Sequence, residues 1–296
     1  MSYYMNLSMA AMRRAKQMQN PEAKPEKIFF TDLDGTLLND QKEITPDNQQ
    51  AINEALQGGH KIVITTGRPL ASAQIQAKRL GLLGKGCYVI AFNGGEIYDC
   101  FSREIIYRRT IPLPLVAKLF DAAHRLGIHI QTFSETEVFA QEDRPEIHEY
   151  AARTLQSFRI VPSISEALIQ EPCKLLAIEK DRREVIEKFR LQILLTYEGV
   201  LDCYFSNDAY LEIVPDQVSK GRAIRWLCSY LGIPIENSVA AGDAPNDIDM
   251  IEAAHIGVAM RNSYPGVAAH ADYITTVDNN HDGAAEIIHR FLLEDQ

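Results

Sequence analysis

Short apolar runs alternate with amphipathic stretches in the first third of the chain. The apolar runs at residues 27–31, 61–65 and 87–91 have the length of buried strands. Residues 46–57 and 69–80 carry apolar side chains at helical spacing, and each stretch stops close to a glycine. Strands that alternate with helices across short connections are typical of a parallel sheet covered by helices. The pattern therefore predicts an α/β fold with a Rossmann-like parallel-sheet core.

The alternation breaks down after the third strand and returns near Val214. In between, strands and helices follow one another irregularly, as in an α+β domain of ordinary size. The strand-like runs there lie at residues 97–98, 104–108, 128–133, 174–178 and 201–205, and the helical ones at 113–126, 145–157 and 182–195. We therefore predict a discontinuous core at residues 25–96 and 215–296, with an inserted α+β cap domain at residues 97–214. Residues 1–24 are expected to be an N-terminal extension without fixed structure.

The last part of the chain repeats the strand and helix rhythm. Its expected elements are helices at residues 219–231, 246–254, 264–269 and 284–293 and strands at 238–241, 256–260 and 273–275. The first three core strands each run into polar or glycine residues, at 32–36, 66–68 and 93–95. Parallel sheets bind ligands at the carboxyl ends of their strands, so we expect a functional site at that edge.

The composition restricts the class of partner. With 46% hydrophobic and 24% charged residues, the 296-residue chain has the composition of an ordinary globular protein. Its formal net charge of -10 disfavours nucleic acid and anionic membranes as partners, and no apolar run reaches membrane-spanning length. The five cysteines form no C-x-x-C pair, which favours reduced thiols in a cytoplasmic protein.

The first acidic cluster follows the first strand. Asp32 and Asp34 are separated by one residue, and Gly35 permits a sharp turn directly after them. A carboxylate in this position can attack phosphorus, and a second acid can protonate the leaving oxygen and then activate water. The same letters also suit a simple Asp–Gly turn or a calcium-type loop. This motif alone therefore leaves the chemistry open.

A second acidic cluster follows the strand at residues 238–241. Asp243, Asn246 and Asp247 provide hard oxygen ligands of the kind that suit Mg²⁺. Helix capping is the alternative, since Asp and Asn are good N-caps and acids favour the first turn of a helix. Capping explains one of these side chains, but it does not explain the whole group within one turn.

Two smaller motifs complete a set for phosphoryl transfer. The Thr66 hydroxyl and the Gly67 backbone are suited to holding phosphate at a helix N-terminus. Arg68 either contacts the substrate phosphate or caps the loop, and the structural interpretation is favoured. Lys220 opens the helix after the insert, where an ammonium group can neutralise a nucleophile and phosphoryl oxygens. A nucleophile, a metal site and donors to the phosphoryl oxygens are what this reaction requires.

These motifs, in this order, resemble those of the haloacid dehalogenase superfamily. Within it, the chain is similar to Cof-type phosphatases, which carry a large C2B-like α/β cap between the second and third core motifs. The resemblance covers roughly residues 27–293. It implies that Asp32 is the nucleophile, Asp34 the general acid and base, and Lys220 a catalytic cation. The residues that it places on the phosphate are Thr66, Gly67, Asn93, Lys220 and Asn246.

The resemblance also implies one cofactor, Mg²⁺. By this match Asp32 and Asp243 bind the ion through their carboxylates and Asp34 through its backbone carbonyl, while Asp247 supports the water shell. The cap is expected to close over the leaving group and exclude bulk water.

The function expected from the sequence is a Mg²⁺-dependent phosphatase of small phosphate monoesters that works through an aspartyl-phosphate. Sugar phosphates, flavin mononucleotide and pyridoxal phosphate are the substrate types considered. A sugar phosphomutase of the same superfamily is the alternative within enzymes. A non-catalytic phospho-acceptor module is the alternative from another class, although such modules are shorter and lack an insert. The oligomeric state is open.

Overall fold

The computed structural model describes residues 25–154 and 156–294, which form two β-sheets with helices packed on them. The larger sheet has eight strands in the order β14-β13-β12-β1-β2-β3-β4-β5, and its first six are parallel. Its strands are β1 (Ile28–Thr31), β2 (Lys61–Thr65), β3 (Cys87–Ala91), β4 (Glu96–Asp99), β5 (Glu104–Arg108), β12 (Ser238–Gly242), β13 (Ile256–Ala259) and β14 (Tyr273–Ile274). The predicted α/β fold is confirmed. The predicted extension at residues 1–24 lies outside the described residues.

Helices cover both faces of this sheet because its central strands are apolar on both sides. Phe29 packs into the cluster that contains the helices at residues 46–57 and 283–288, whereas its neighbour Phe30 packs on the opposite face with the helix at residues 220–231. Burying each such side chain stabilises the fold by about 2 kcal/mol. The helices of this part are α1 (Pro46–Gln57), α2 (Leu70–Arg79), α7 (Lys220–Leu231), α8 (Ile248–Ala253) and α9 (Gly283–Ile288).

The smaller sheet has six strands in the order β10-β11-β9-β6-β7-β8, of which only β7 and β8 pair in parallel. Its strands are β6 (His129–Phe133), β7 (Glu137–Ala140), β8 (Ser157–Ile160), β9 (Leu175–Ile178), β10 (Leu201–Asn207) and β11 (Tyr210–Pro215). Its helices are α3 (Leu113–Arg125), α4 (Pro145–Thr154), α5 (Ile164–Ala167) and α6 (Arg183–Thr196). Its own core contains Phe120, Phe189 and Ile213, all fully buried. We propose that this part is the cap that the sequence predicts as an insert.

The hairpin of β4 and β5 belongs to the larger sheet, whereas the sequence assigned residues 97–108 to the insert. The chain reverses at Asn93 and Gly94, whose φ angles of +56° and +105° are left-handed, so β4 returns antiparallel to β3. We therefore propose that the cap extends from Arg109 to Pro215.

Three cap strands were not predicted from the sequence as separate elements: β7, β8 and β11. The helix expected at 145–157 ends at Thr154, and β8 follows with three of its four side chains exposed. An exposed strand shows little apolar alternation, which explains why this one was missed. The helix expected at 246–254 begins as a 3-10 turn at Pro245–Asp247, and the last helix continues as a π-turn over His289–Leu293.

Candidate active site

Two neighbouring parallel strands, β1 and β12, deliver the acidic side chains to one edge of the larger sheet. Strands β1, β2 and β12 lie side by side, and Asp32 and Asp243 directly follow β1 and β12. The Asp32 amide continues the ladder by donating to the Ala241 carbonyl at 3.0 Å. Carboxylate oxygens of Asp32, Asp243 and Asp247 lie within 4.8 Å of one another, and all three residues are buried. The edge predicted from the strand ends therefore carries a buried triad of acids.

Lys220 is the cation that this acidic triad surrounds. Its Nζ lies 2.6 Å from Asp32 Oδ1 and 2.5 Å from Asp247 Oδ1, and its side chain is completely buried. Burial alone would lower the lysine pKa, but the charges of Asp247 and Asp32 outweigh this effect and raise it. Ser219 positions the lysine, because its hydroxyl accepts from the Arg222 amide and caps helix α7. Lys220 is therefore a permanently charged partner of the proposed nucleophile.

One lysine does not balance three carboxylates. Burial, followed by the neighbouring acids, raises the pKa of Asp32 to about 7 despite Lys220. Burial and the charges of Asp32 and Asp247 raise the pKa of Asp243 to about 8. Raised pKa values of this kind mean that like charges crowd in a place where water cannot screen them. The crowding is what a bound cation relieves.

The donor set fits a divalent metal ion that prefers oxygen. The backbone at Gly35 approaches the triad so closely that a Cβ there would lie 2.4 Å from Asp243 Oδ2, and its φ is +81°. Only glycine allows this approach. The Thr36 hydroxyl donates to Asp243 Oδ1 at 2.9 Å and fixes that carboxylate. Asp247 is held as well, since its Oδ2 accepts from the amides of Asp243 and Ala244 at 3.0 Å each. Such rigid carboxylates suit Mg²⁺.

Asp34 is held by two cations. Arg68 donates from Nε and Nη2 to its two oxygens, at 2.7 Å each, and Lys42 Nζ lies 2.8 Å from Oδ1. Burial would raise the Asp34 pKa, but these two cations lower it to about 2. From the sequence, a structural role of Arg68 was favoured over a contact with the substrate phosphate. In the structure its guanidinium holds the carboxylate of the proposed general acid, a partner that the sequence did not indicate.

Three of the phosphate-binding residues expected from sequence are joined by hydrogen bonds around the turn at Thr66 and Gly67. The Asn93 amide donates to the Thr66 carbonyl at 3.0 Å, and Asn246 Nδ2 donates to Asn93 Oδ1 at 3.2 Å. A Cβ at Gly67 would lie 2.8 Å from Asn93 Oδ1, so the side chain of Asn93 packs closely against the Gly67 backbone. Asn93 Nδ2 is buried and has no hydrogen-bond partner among the described residues. An unpaired buried donor is costly, and an oxygen-rich ligand would satisfy it.

The structure thus brings every residue predicted for the site to the same edge of the sheet. Those residues are Asp32, Asp34, Thr66, Gly67, Asn93, Lys220, Asp243, Asn246 and Asp247. Their catalytic roles are proposals, which rest on this geometry. Sequence reasoning missed Lys42 and the cap residues Lys174 and Glu212. Of the two cations that hold Asp34, Arg68 could be found from the sequence because it directly follows Thr66 and Gly67, whereas no motif pointed to Lys42.

A sequence profile described as haloacid dehalogenase-like hydrolase matches residues 29–288. A protein of Streptococcus pyogenes is 32% identical over 270 residues, which cover 90% of this chain and 98% of that protein. The 5-amino-6-(5-phospho-D-ribitylamino)uracil phosphatase YcsE of Bacillus subtilis is 30% identical over 271 residues, with coverages of 90% and 96%. A crystal structure of a haloacid dehalogenase-like hydrolase from Bacteroides thetaiotaomicron superposes with a TM-score of 0.81 and 29% identity, covering 90% of this chain and 99% of that one.

The relatives and the solved structure match over most of this chain and over nearly the whole of their own length. They confirm the resemblance that the motifs indicated. They also confirm, at the level of the family, the predictions of an enzyme and of a phosphatase. No helix of residues 25–154 and 156–294 is both long and apolar enough to cross a membrane. Together, the acidic edge of the sheet, the inserted cap and the full-length matches show that the chain belongs to the haloacid dehalogenase-like hydrolase family.

Proposed function

We propose that the protein is a Mg²⁺-dependent phosphatase that hydrolyses small phosphate monoesters through an aspartyl-phosphate on Asp32. The buried contact of Lys220 with both Asp32 and Asp247 carries this proposal. It keeps a charged lysine against a carboxylate at the strand end where phosphate oxygens would lie. Bound Mg²⁺ would supply positive charge to the acidic triad and to the phosphoryl oxygens.

In the first half-reaction an Asp32 oxygen attacks phosphorus, and the bond from phosphorus to the ester oxygen breaks. Lys220 holds Asp32 Oδ1, so we assign Oδ2 as the attacking atom. The leaving alkoxide takes a proton from the Asp34 carboxyl group and departs as the alcohol. Lys220 and the Thr66 and Asn93 turn bind the phosphoryl oxygens throughout.

In the second half-reaction Asp34 takes a proton from water, and the hydroxide attacks the phosphorus of the aspartyl-phosphate. The bond from phosphorus to the Asp32 oxygen breaks, which releases phosphate and restores the carboxylate. The observed contacts of Asp34 with Arg68 and Lys42 keep it ionised, and this is the form that accepts the proton. For the first half-reaction Asp34 must be protonated, so its carboxyl group must first separate from Arg68 and Lys42.

The cap supports the reaction by covering the site. Lys174 of the cap donates from Nζ to the Gly67 carbonyl at 2.7 Å, and Ser72 of α2 donates to the Thr154 carbonyl at 2.9 Å. These contacts join cap and core beside the phosphate-binding turn. A closed cap excludes bulk water that would otherwise screen the charges of the site.

Small phosphate esters are the proposed substrates, and the name of the Bacillus subtilis relative supports a ribityl phosphate as one example. The five cysteines are all free and buried, which supports the proposed cytoplasmic location. Release of free phosphate separates this proposal from a phosphomutase, which would return the group to a sugar.

The test is phosphate release from p-nitrophenyl phosphate with Mg²⁺ or with EDTA. We expect Mg²⁺-dependent turnover in the wild type and in Asp181→Asn, a matched control on an exposed cap residue. Asp32→Asn should lose at least about 10⁴-fold in kcat, because an amide cannot form the acyl phosphate. Its melting temperature should shift by only a few degrees, since the amide keeps the shape of the side chain. Substantial turnover in Asp32→Asn would eliminate Asp32 as the nucleophile.

A further inference from the structure

The cap contains one buried ion pair that faces the core. Lys174 directly precedes β9, Glu212 lies in the adjacent strand β11, and their Nζ and Oε2 atoms are 2.8 Å apart. Only 2% of the lysine side chain and 6% of the glutamate side chain are exposed. The Ser206 hydroxyl donates to the other glutamate oxygen at 2.8 Å. The pair is therefore fixed in position rather than free to rotate at a surface.

The pair lies against the turn on which the phosphate is proposed to sit. The same Lys174 Nζ donates to the Gly67 carbonyl, one residue beyond Thr66. Tyr150 of α4 lies close by, since its ring centre is 5.6 Å from that of Phe133, which in turn lies 5.2 Å from the lysine Nζ. A phosphate bound at Thr66 and Gly67 would therefore lie beside this ion pair.

Stability does not explain why charges occupy this place. Two buried charges lose their hydration, and a well-packed apolar pair of similar volume is often as stable or more stable. Nearby side chains would accommodate such a pair, because Phe133 packs with its ring centre 5.2 Å from the lysine Nζ and 5.6 Å from the Tyr150 ring. The ion pair thus has a cost that a purely structural contact between cap and core would avoid.

The pair retains unused hydrogen-bonding capacity. An ammonium group has three donors, and the Gly67 carbonyl accepts one of those of Lys174. A carboxylate offers about four lone-pair positions, and the Ser206 hydroxyl donates to Oε1 of Glu212. Its Oε2 lies 2.8 Å from the lysine Nζ as an ion pair but has no hydrogen-bond partner among the described residues. A donor and an acceptor side by side, between aromatic walls, match two neighbouring hydroxyl groups of one ligand.

We propose that Lys174 and Glu212 bind adjacent hydroxyls of the leaving group, so that the enzyme prefers phosphate esters of sugars or open-chain polyols. This inference rests on the proposed phosphatase function. Glu212 accepts from one hydroxyl or from both, and Lys174 donates to one of them. A substrate without these hydroxyls leaves both buried charges without ligand partners and is discriminated against in kcat/KM.

The test compares two substrates of equal carbon number, D-glucitol 6-phosphate and n-hexyl phosphate. We expect the wild type to favour the polyol ester by at least about 100-fold in kcat/KM. In Glu212→Gln and Lys174→Met this ratio should fall at least about 10-fold, in addition to any loss that weaker closure of the cap causes equally on both substrates. Lys180→Met removes a cation of the exposed Lys180–Glu149 pair on the same cap and should leave the ratio unchanged.

Equal losses on both substrates would show that the pair only holds the cap closed, and they would overturn the inference. A wild-type ratio near one would overturn it as well. If a single variant does not fold, the double variant Lys174→Met with Glu212→Gln applies the same criterion without leaving one charge buried alone. Hydrolysis of p-nitrophenyl phosphate is measured in parallel. Its absence in the wild type would refute the proposed function itself, whereas its presence with no polyol preference refutes only this inference.

Discussion

At the scale of single residues, the site separates two aspartates by their surroundings. Asp32 is buried among acids with its pKa raised to about 7, whereas Arg68 and Lys42 keep the pKa of Asp34 at about 2. The two carboxyl groups lie two positions apart in the chain, but one is placed to attack and the other to exchange protons. Differently tuned acids at one site are a usual sign of divided catalytic roles.

This division predicts burst kinetics in Asp34→Asn. A nitrophenolate leaves without protonation, so the first half-reaction with p-nitrophenyl phosphate does not need Asp34, whereas activation of water does. We expect about one equivalent of nitrophenol per enzyme within the burst, followed by turnover about 10²–10⁴-fold slower than in the wild type. Rapid-quench or stopped-flow absorbance measures both phases, and Asp32→Asn, which cannot form the phosphoenzyme, serves as the control without a burst. A linear time course at the wild-type rate would contradict the role given to Asp34.

At the scale of elements, helix α7 must pack tightly for Lys220 to reach the triad. Gly221 lies against α8, where a Cβ would stand 2.2 Å from the Asp249 carbonyl oxygen, and its amide donates to the Asp249 carboxylate at 2.9 Å. Because the blocking atom belongs to the backbone, a side chain at this position cannot be accommodated by a rotamer change.

We therefore expect Gly221→Ala to lower the free energy of unfolding by about 2–3 kcal/mol, as overpacking does. The helix propensity of alanine favours the variant by about 1 kcal/mol, so a net loss isolates the close contact. Displacement of Lys220 should reduce kcat as well. Chemical denaturation and phosphate release measure the two effects. Gly84→Ala, where no atom lies within 4 Å of the added Cβ, is the matched control and should be neutral. An unchanged Gly221→Ala would disprove the contact.

The sequence could predict those parts of the site that depend on the order of strands along the chain, but not those that depend on how distant segments pack. Asp32 and Asp243 follow directly on apolar strands, so their meeting at one edge needed only the rule that parallel strands end together. The hairpin at β4 and β5 was placed in the insert because its antiparallel return depends on a left-handed backbone at Asn93. The Lys174 and Glu212 pair could not be found at all, because its meaning depends on how the cap docks on Gly67.

At the scale of the whole molecule, the acidic edge links catalysis to stability. Asp32 and Asp243 have pKa values of about 7 and about 8 in the folded protein, against 3.8 for an ordinary Asp. At pH values between 3.8 and these raised values, the folded protein therefore binds more protons than the unfolded chain does. Their contribution to stability is complete below about pH 4 and is lost as the pH rises through 7 to 8. The pKa of Asp34 is lowered to about 2, so its contribution to stability is present above about pH 4 and is lost as the pH falls towards 2.

The metal-free protein should therefore become less stable from pH 5 to pH 8, by at least about 2 kcal/mol, or roughly 4–8 °C in Tm. Saturating Mg²⁺ should recover this loss at pH 8 and have little effect at pH 5, because protonated carboxyl groups do not bind the ion. Calorimetry with EDTA or Mg²⁺ across this range measures both effects. In Asp243→Asn we expect a shallower pH dependence and a smaller stabilisation by Mg²⁺, while Asp181→Asn behaves as the wild type. Stabilisation by Mg²⁺ that is equal at pH 5 and pH 8 would place the ion away from these acids, since only binding coupled to their deprotonation produces the difference.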